Sequence, residues 1–70
     1  MALKKRSFSL SRHRTSVALE PEFWAVLEGE AERAGKSLAA FVAEIDAKRG
    51  LRPLASALRL TALAAAKREP

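Results

Sequence analysis

Arg14-Thr15-Ser16-Val17-Ala18-Leu19, followed at once by Glu20-Pro21-Glu22-Phe23-Trp24, decides how the rest of the chain is organised. Thr15, Val17 and Leu19 alternate with Arg14, Ser16 and Ala18, the period of two expected of a strand with one face buried and the other open. No other segment reads convincingly as a strand. A lone strand leaves its backbone N–H and C=O groups unpaired, which invites association with another molecule. The simplest partner is the same strand of a second copy, giving an antiparallel two-stranded ribbon on a two-fold axis. Its apolar face, with Val17 and Leu19, then covers a shared helical core, while Arg14, Ser16 and Ala18 look outward.

Pro21 suits the first turn of a helix, where its missing N–H has no intrahelical partner to lose. Phe23, Trp24, Leu27, Ala31 and Ala34 recur at helical spacing, Glu20 and Glu22 sit where the helix dipole favours negative charge, and Gly35 ends the segment as a C-terminal cap. Gly29 is a weak point inside it, costing about 1 kcal/mol against alanine. Ser37 is the N-cap of a second helix with the stripe Leu38, Phe41, Val42 and Ile45, closed by Lys48, Arg49 and Gly50. Only Gly35-Lys36 separates the helices, so they must form a helical hairpin or corner. Pro53 starts a third, alanine-rich helix with Leu54, Ala57, Leu58 and Thr61 on one face and Leu60 and Leu63 on another, a pattern suited to contact with several surfaces or a second chain.

Upstream, Phe8 and Leu10 alternate with serines, which hints at an extended segment. They lie at even positions, whereas Val17 and Leu19 are odd, so one uninterrupted strand would put the two sets on opposite faces. A break near Ser11 to His13 is expected, leaving residues 1–11 as a basic arm that docks Phe8 or Leu10 on a neighbour. The ordered domain then covers 12–50, with a helical extension over 51–70.

Seventy residues with no cysteine and one histidine exclude disulfides and an ordinary zinc site. A core of this size is marginal, which points to oligomerisation. The net charge of +5 is placed unevenly. Residues 1–19 hold Lys4, Lys5, Arg6, Arg12 and Arg14 with no acid, whereas the eight basic side chains of 20–70 balance eight acidic ones. Such a block is the electrostatic signature of a polyanionic partner. No apolar run approaches the roughly 18 residues of a membrane span, and the start lacks a signal-peptide core, so a cytoplasmic, nucleoid-associated protein is expected.

The succession of this strand, a Pro-Glu-Phe-Trp helix start, a Gly-Lys-Ser turn and a Leu-Ala-Ala-Phe-Val-Ala-Glu-Ile helix resembles the ribbon-helix-helix family of prokaryotic DNA-binding proteins, over residues 12–49. In detail it is similar to a bacterial subgroup with Arg-His-Arg-Thr-Ser-Val near the strand, Leu-Glu-Pro-Glu-Phe-Trp at the first helix, and a C-terminal extension that Leu-Ala-Ser-Ala-Leu-Arg-Leu matches. The resemblance implies a mainly α fold with one β-strand per chain, an intertwined homodimer, and paired strands that enter the major groove of double-stranded DNA. Val17, Leu19, Phe23, Trp24, Leu27, Phe41, Val42 and Ile45 form the core or dimer interface. By position, Arg14, Ser16 and Ala18 would meet base edges, and Lys36, Ser37 and Leu38 would hold a phosphate.

The chemistry fits that assignment. Arginine can donate two hydrogen bonds to guanine O6 and N7, serine accepts or donates to several bases, and alanine offers a methyl contact to thymine. Ser16 and Ala18 are short for this face, which favours modest specificity, shape reading or cooperative binding. Arg12 and His13 are assigned to phosphate or groove-edge contacts, and Lys4, Lys5 and Arg6 to salt-sensitive backbone affinity. The helix start at Ser37 offers free amides to an anion.

A small repressor is the leading expectation. An antitoxin is a variant, with the helix from Pro53 as the site for a protein partner, and residues 53–66 can also build a larger oligomer. The rival reading is an interaction or oligomerisation module that does not bind DNA, favoured by the short Ser16 and Ala18 and disfavoured by the basic arm. With no glycine-rich phosphate loop, no Cys nucleophile and little chain to enclose a pocket, an enzyme is not expected, and no cofactor or metal is implied.

Overall fold

The computed structural model describes residues 2–10 and 13–68. Its elements run β1 (Lys4–Leu10), β2 (His13–Leu19), α1 (Pro21–Arg33), α2 (Leu38–Lys48) and α3 (Leu54–Arg68). The strand expected to be alone has a partner in its own chain. β1 and β2 pair antiparallel, from Leu10 opposite His13 to Lys4 opposite Leu19. The expectation of one strand per chain is corrected accordingly, and residues 4–10, expected to belong to a basic arm, form β1.

The reason lies in parity. In this register every even residue of β1 stands opposite an odd residue of β2. A reversal of the chain therefore puts Phe8, Leu10, Val17 and Leu19 on one face, and all four are buried. Of the break expected near Ser11 to His13, residues 11 and 12 lie outside the described ones.

Trp24 locks this hairpin to α1. It is 1% exposed, its ring centroid lies 5.8 Å from that of Phe8, and Nε1 donates to the Lys4 carbonyl at 2.7 Å. A buried indole is tolerated because its N–H finds a partner. Across the same ring, at 5.3 Å, lies the Arg6 guanidinium, whose Nη1 donates to Glu28 Oε2 at 2.6 Å.

The helix boundaries follow local chemistry. Pro21 opens α1 with Glu20 as its cap residue, and the Phe23 amide donates to the Glu20 carbonyl at 2.9 Å. At the other end Gly35 takes φ +71°, while the amides of Gly35 and Lys36 donate to the carbonyls of Glu32 and Ala31. That pair of bonds is a Schellman closure, which needs a residue free to adopt positive φ. Ser37 Oγ then accepts from the Ala40 amide at 3.1 Å and starts α2.

The third helix belongs to the same core. Leu58 and Ala62 are buried in one cluster with Phe8, Leu10, Val17, Leu19, Trp24, Leu27 and Val42. Phe23, Leu38, Phe41, Ile45 and Leu54 are half-buried against it. α3 packs on α1, α2 and β2, so it closes the domain rather than trailing from it. Its other face leaves Leu60 and Leu63 each 46% exposed.

If α3 is part of the core, truncating Leu58 must destabilise the hairpin as well as the helices. Leu58→Ala is expected to cost about 2–5 kcal/mol. Urea unfolding followed by Trp24 fluorescence and by far-ultraviolet circular dichroism should shift together; a shift in the dichroism alone would place α3 outside the cooperative unit.

Candidate nucleic-acid interface

With Phe8, Leu10, Val17 and Leu19 turned inward, the alternate residues of both strands make the outer face of the hairpin. β2 supplies Arg14, Ser16 and Ala18, as expected from its alternation. β1 adds Lys5, Ser7 and Ser9, paired as Lys5 with Ala18, Ser7 with Ser16, and Ser9 with Arg14. All are exposed except the half-buried Ala18. In the middle the Ser7 and Ser16 hydroxyl oxygens stand 3.0 Å apart, in hydrogen-bond contact. Among the described residues, no hydrogen bond or ion pair engages the side chains of Lys5 and Arg14.

This face is basic and free of acids, since the chain has no Asp or Glu before Glu20. Two strands of seven residues form a ribbon about 20 Å long and about 5 Å between strand axes. The major groove, about 12 Å wide, admits a two-stranded ribbon of that size. The contribution of β1 was missed in the sequence, where the Ser7-Phe8-Ser9-Leu10 alternation was the signal for it.

The other expected contact residues occupy different settings. Lys4 and His13 are exposed at opposite ends of the hairpin, on the parity of the buried face. Arg6 lies over the Trp24 ring and donates to Glu28. Arg12 lies outside the described residues. Lys36 is ion-paired to Glu44, Ser37 spends its hydroxyl on the Ala40 amide, and Leu38 is half-buried against the core. At the start of α2 the Lys36 ammonium is therefore committed to Glu44.

Two carboxyls, the half-buried Glu20 and the exposed Glu44, are held below the ordinary range. For Glu20 the main cause is a hydrogen bond from its own backbone, opposed by desolvation and assisted by the hydrogen bond and charge of Arg59. Glu44 is lowered chiefly by the Lys36 hydrogen bond, against some desolvation, with the charges of Lys36 and Lys48 adding to it.

A β-hairpin with a cationic outer face, seated on a helical pair whose second member starts at a serine cap, has the order of elements of a ribbon-helix-helix domain. The ribbon-helix-helix domain model matches residues 3–66, and the chain belongs to that family, whose members in general bind DNA, dimerise and regulate transcription. The match takes in β1 and most of α3 as well as the segment from β2 to α2. Neither comparison with curated proteins nor comparison with solved structures gives a match. Among the described residues, no helix is long and apolar enough to cross a membrane.

The lowered carboxyls set a pH dependence. Because their folded pKa lies below the ordinary 4.5, the unfolded chain takes up protons first as acid is added. The stability these groups supply is present above that value and is lost as pH falls through the depressed folded pKa. The urea midpoint is expected to drop below about pH 4.5, and to drop less steeply in Glu20→Gln/Glu44→Gln. An unchanged slope in that double variant would show that these pairs contribute nothing to stability.

Proposed function

We propose that this protein is a small transcriptional regulator, most simply a repressor, which lays the outer face of its hairpin in the major groove of double-stranded DNA. The observation that carries this reading is the pair of unengaged cations, Lys5 and Arg14, on an acid-free two-stranded face. Arg14 is the guanine reader, through O6 and N7. Ser16 makes a permissive hydrogen bond and Ala18 a methyl contact to thymine. Lys4 and His13 lie where they can meet flanking phosphates, and the amides at Ser37 and Leu38 hold another.

The short residues on this face limit direct readout, so site selection relies on Arg14 and on duplex shape. A homodimer supplies the rest of the affinity. Leu60 and Leu63, open on α3, and the half-buried Phe41 and Ile45 of α2 offer apolar surface to a second copy or, in the antitoxin variant, to a protein partner. The exposed leucines also favour the rival reading, a protein-interaction module on this scaffold, which the free cations of the hairpin oppose.

Arg14→Ala is expected to reduce discrimination between the best duplex and a scrambled one by about 1–3 kcal/mol in fluorescence-anisotropy titrations. Equal weakening on both duplexes would reduce Arg14 to a phosphate contact. In contrast, Lys4→Ala should weaken both alike and lower the salt slope of binding by about 1.

A further inference from the structure

Beyond the hairpin the charge of the chain falls into two blocks. Residues 20–46 carry seven acidic side chains against two basic ones, whereas residues 47–68 carry six basic side chains and no acid. Three of those six are spent inside the fold, Arg49 on Asp46, Arg59 on Glu20 and Arg68 on Glu30. Lys48, Arg52 and Lys67 are exposed and make no hydrogen bond or ion pair to a described side chain. The same segment holds Leu51, Leu60 and Leu63, three of the four large apolar residues exposed among the described ones.

These two sets meet at one place. Lys48, Arg52 and Leu60 stand around an open groove of about 340 Å³ between α2 and α3, with the half-buried Ile45 and the buried Ala57 at its floor. Thr61 also lines it, but its hydroxyl donates to the Ala57 carbonyl at 2.8 Å. Arg49 is held at the rim by bonds of 2.6 Å to Asp46 Oδ1 and to the Arg52 carbonyl. Leu63 and Lys67 follow Leu60 three and seven residues on, which carries the apolar and cationic stripe about 10 Å further along α3. No lining residue of the groove comes from β1 or β2.

We propose that this α2–α3 groove docks an amphipathic helix of a partner protein whose apolar stripe is flanked by carboxylates. The inference gives the chemistry of the protein partner that the reading above allows at α3, and it does not depend on duplex binding by the hairpin. A helix laid in a groove is read through apolar anchors at successive turns, for which Ile45, Ala57 and Leu60 are the seat. The free Arg52 guanidinium matches a carboxylate in two parallel hydrogen bonds, while Lys48 and Lys67 act as point charges beside it. Other occupants fit less well. A duplex would meet the cations but has nothing to set against the leucines, and a flat lipid surface would leave the floor of the groove unfilled. A second copy in a two-fold contact would bring the same cations against themselves.

The probe is a fluorescent synthetic helix about 18 residues long, with leucines at helical spacing and glutamates on the remaining positions, titrated into the full chain. Its twin with lysine in place of glutamate, and vesicles of phosphatidylglycerol, are titrated in parallel. The acidic helix should bind and the basic twin should not. Lys48→Ala/Arg52→Ala and, separately, Leu60→Ser/Leu63→Ser should each weaken the acidic helix about tenfold. Lys5→Ala/Arg14→Ala, which removes the same net charge from the hairpin, should leave it unchanged. Circular dichroism of each variant checks that the fold is intact, and Leu60→Ala/Leu63→Ala replaces the serine pair if it is not. Equal weakening in the two charge variants would reduce the effect to net charge and overturn the inference. So would binding of the vesicles without the acidic helix, or dissociation of a homodimer by the leucine substitutions with no helix bound. A chain that takes the acidic helix but no duplex would overturn the proposed function and leave this inference standing; a chain that binds duplex but not the helix would do the reverse.

Discussion

The indole of Trp24 fixes how the hairpin sits on the helices. Its ring is sealed against Phe8, its N–H needs a partner once buried, and the Lys4 carbonyl of β1 provides it. A strand held both by a side-chain contact and by its own backbone cannot slide by a residue without stranding the indole donor and turning its apolar side chains to water. The face offered to solvent is therefore determined from α1. The same arrangement draws Arg6 onto the ring and toward Glu28, and leaves Lys5 pointing the other way.

Charge is partitioned along the chain to match. The α1 segment carries Glu20, Glu28 and Glu30, which pair with Arg59 of α3, Arg6 of β1 and Arg68 of α3. Each contact is at least partly exposed, and pairs of that kind are worth about 0–1 kcal/mol. They orient the hairpin and α3 on α1, while burial of Trp24, Leu27, Leu58 and their neighbours supplies the cohesion. On the outer hairpin face no acid is available to neutralise Lys5 and Arg14.

Much of this was legible in the sequence. The alternation of β2, the glycine stop at Gly35, the serine cap at Ser37 and the apolar stripes of α1 and α2 each depend on nearest neighbours, and each is found in place. The partner of β2 was not legible, because the free backbone groups of a strand are satisfied equally well by a second copy or by the chain's own N-terminal segment. Periodicity marks the faces of a strand and says nothing about who lies beside it. Arg6 was grouped with Lys4 and Lys5 because the three share a charge; its separation from them depends on Trp24 and Glu28, which only folding brings near. The pairing of Lys36 with Glu44 was not legible either, because the two lie eight residues apart, outside the usual one-turn spacing of helix ion pairs.

Closing the hairpin within one chain changes how its outer face responds to dilution. A sheet assembled between molecules obeys mass action and dissolves as copy number falls. One closed between residues a few positions apart in sequence incurs a small loop-closure entropy and forms at any concentration. A domain built this way keeps its outer face when only a few molecules are present, and leaves association between copies to govern how many such faces act together.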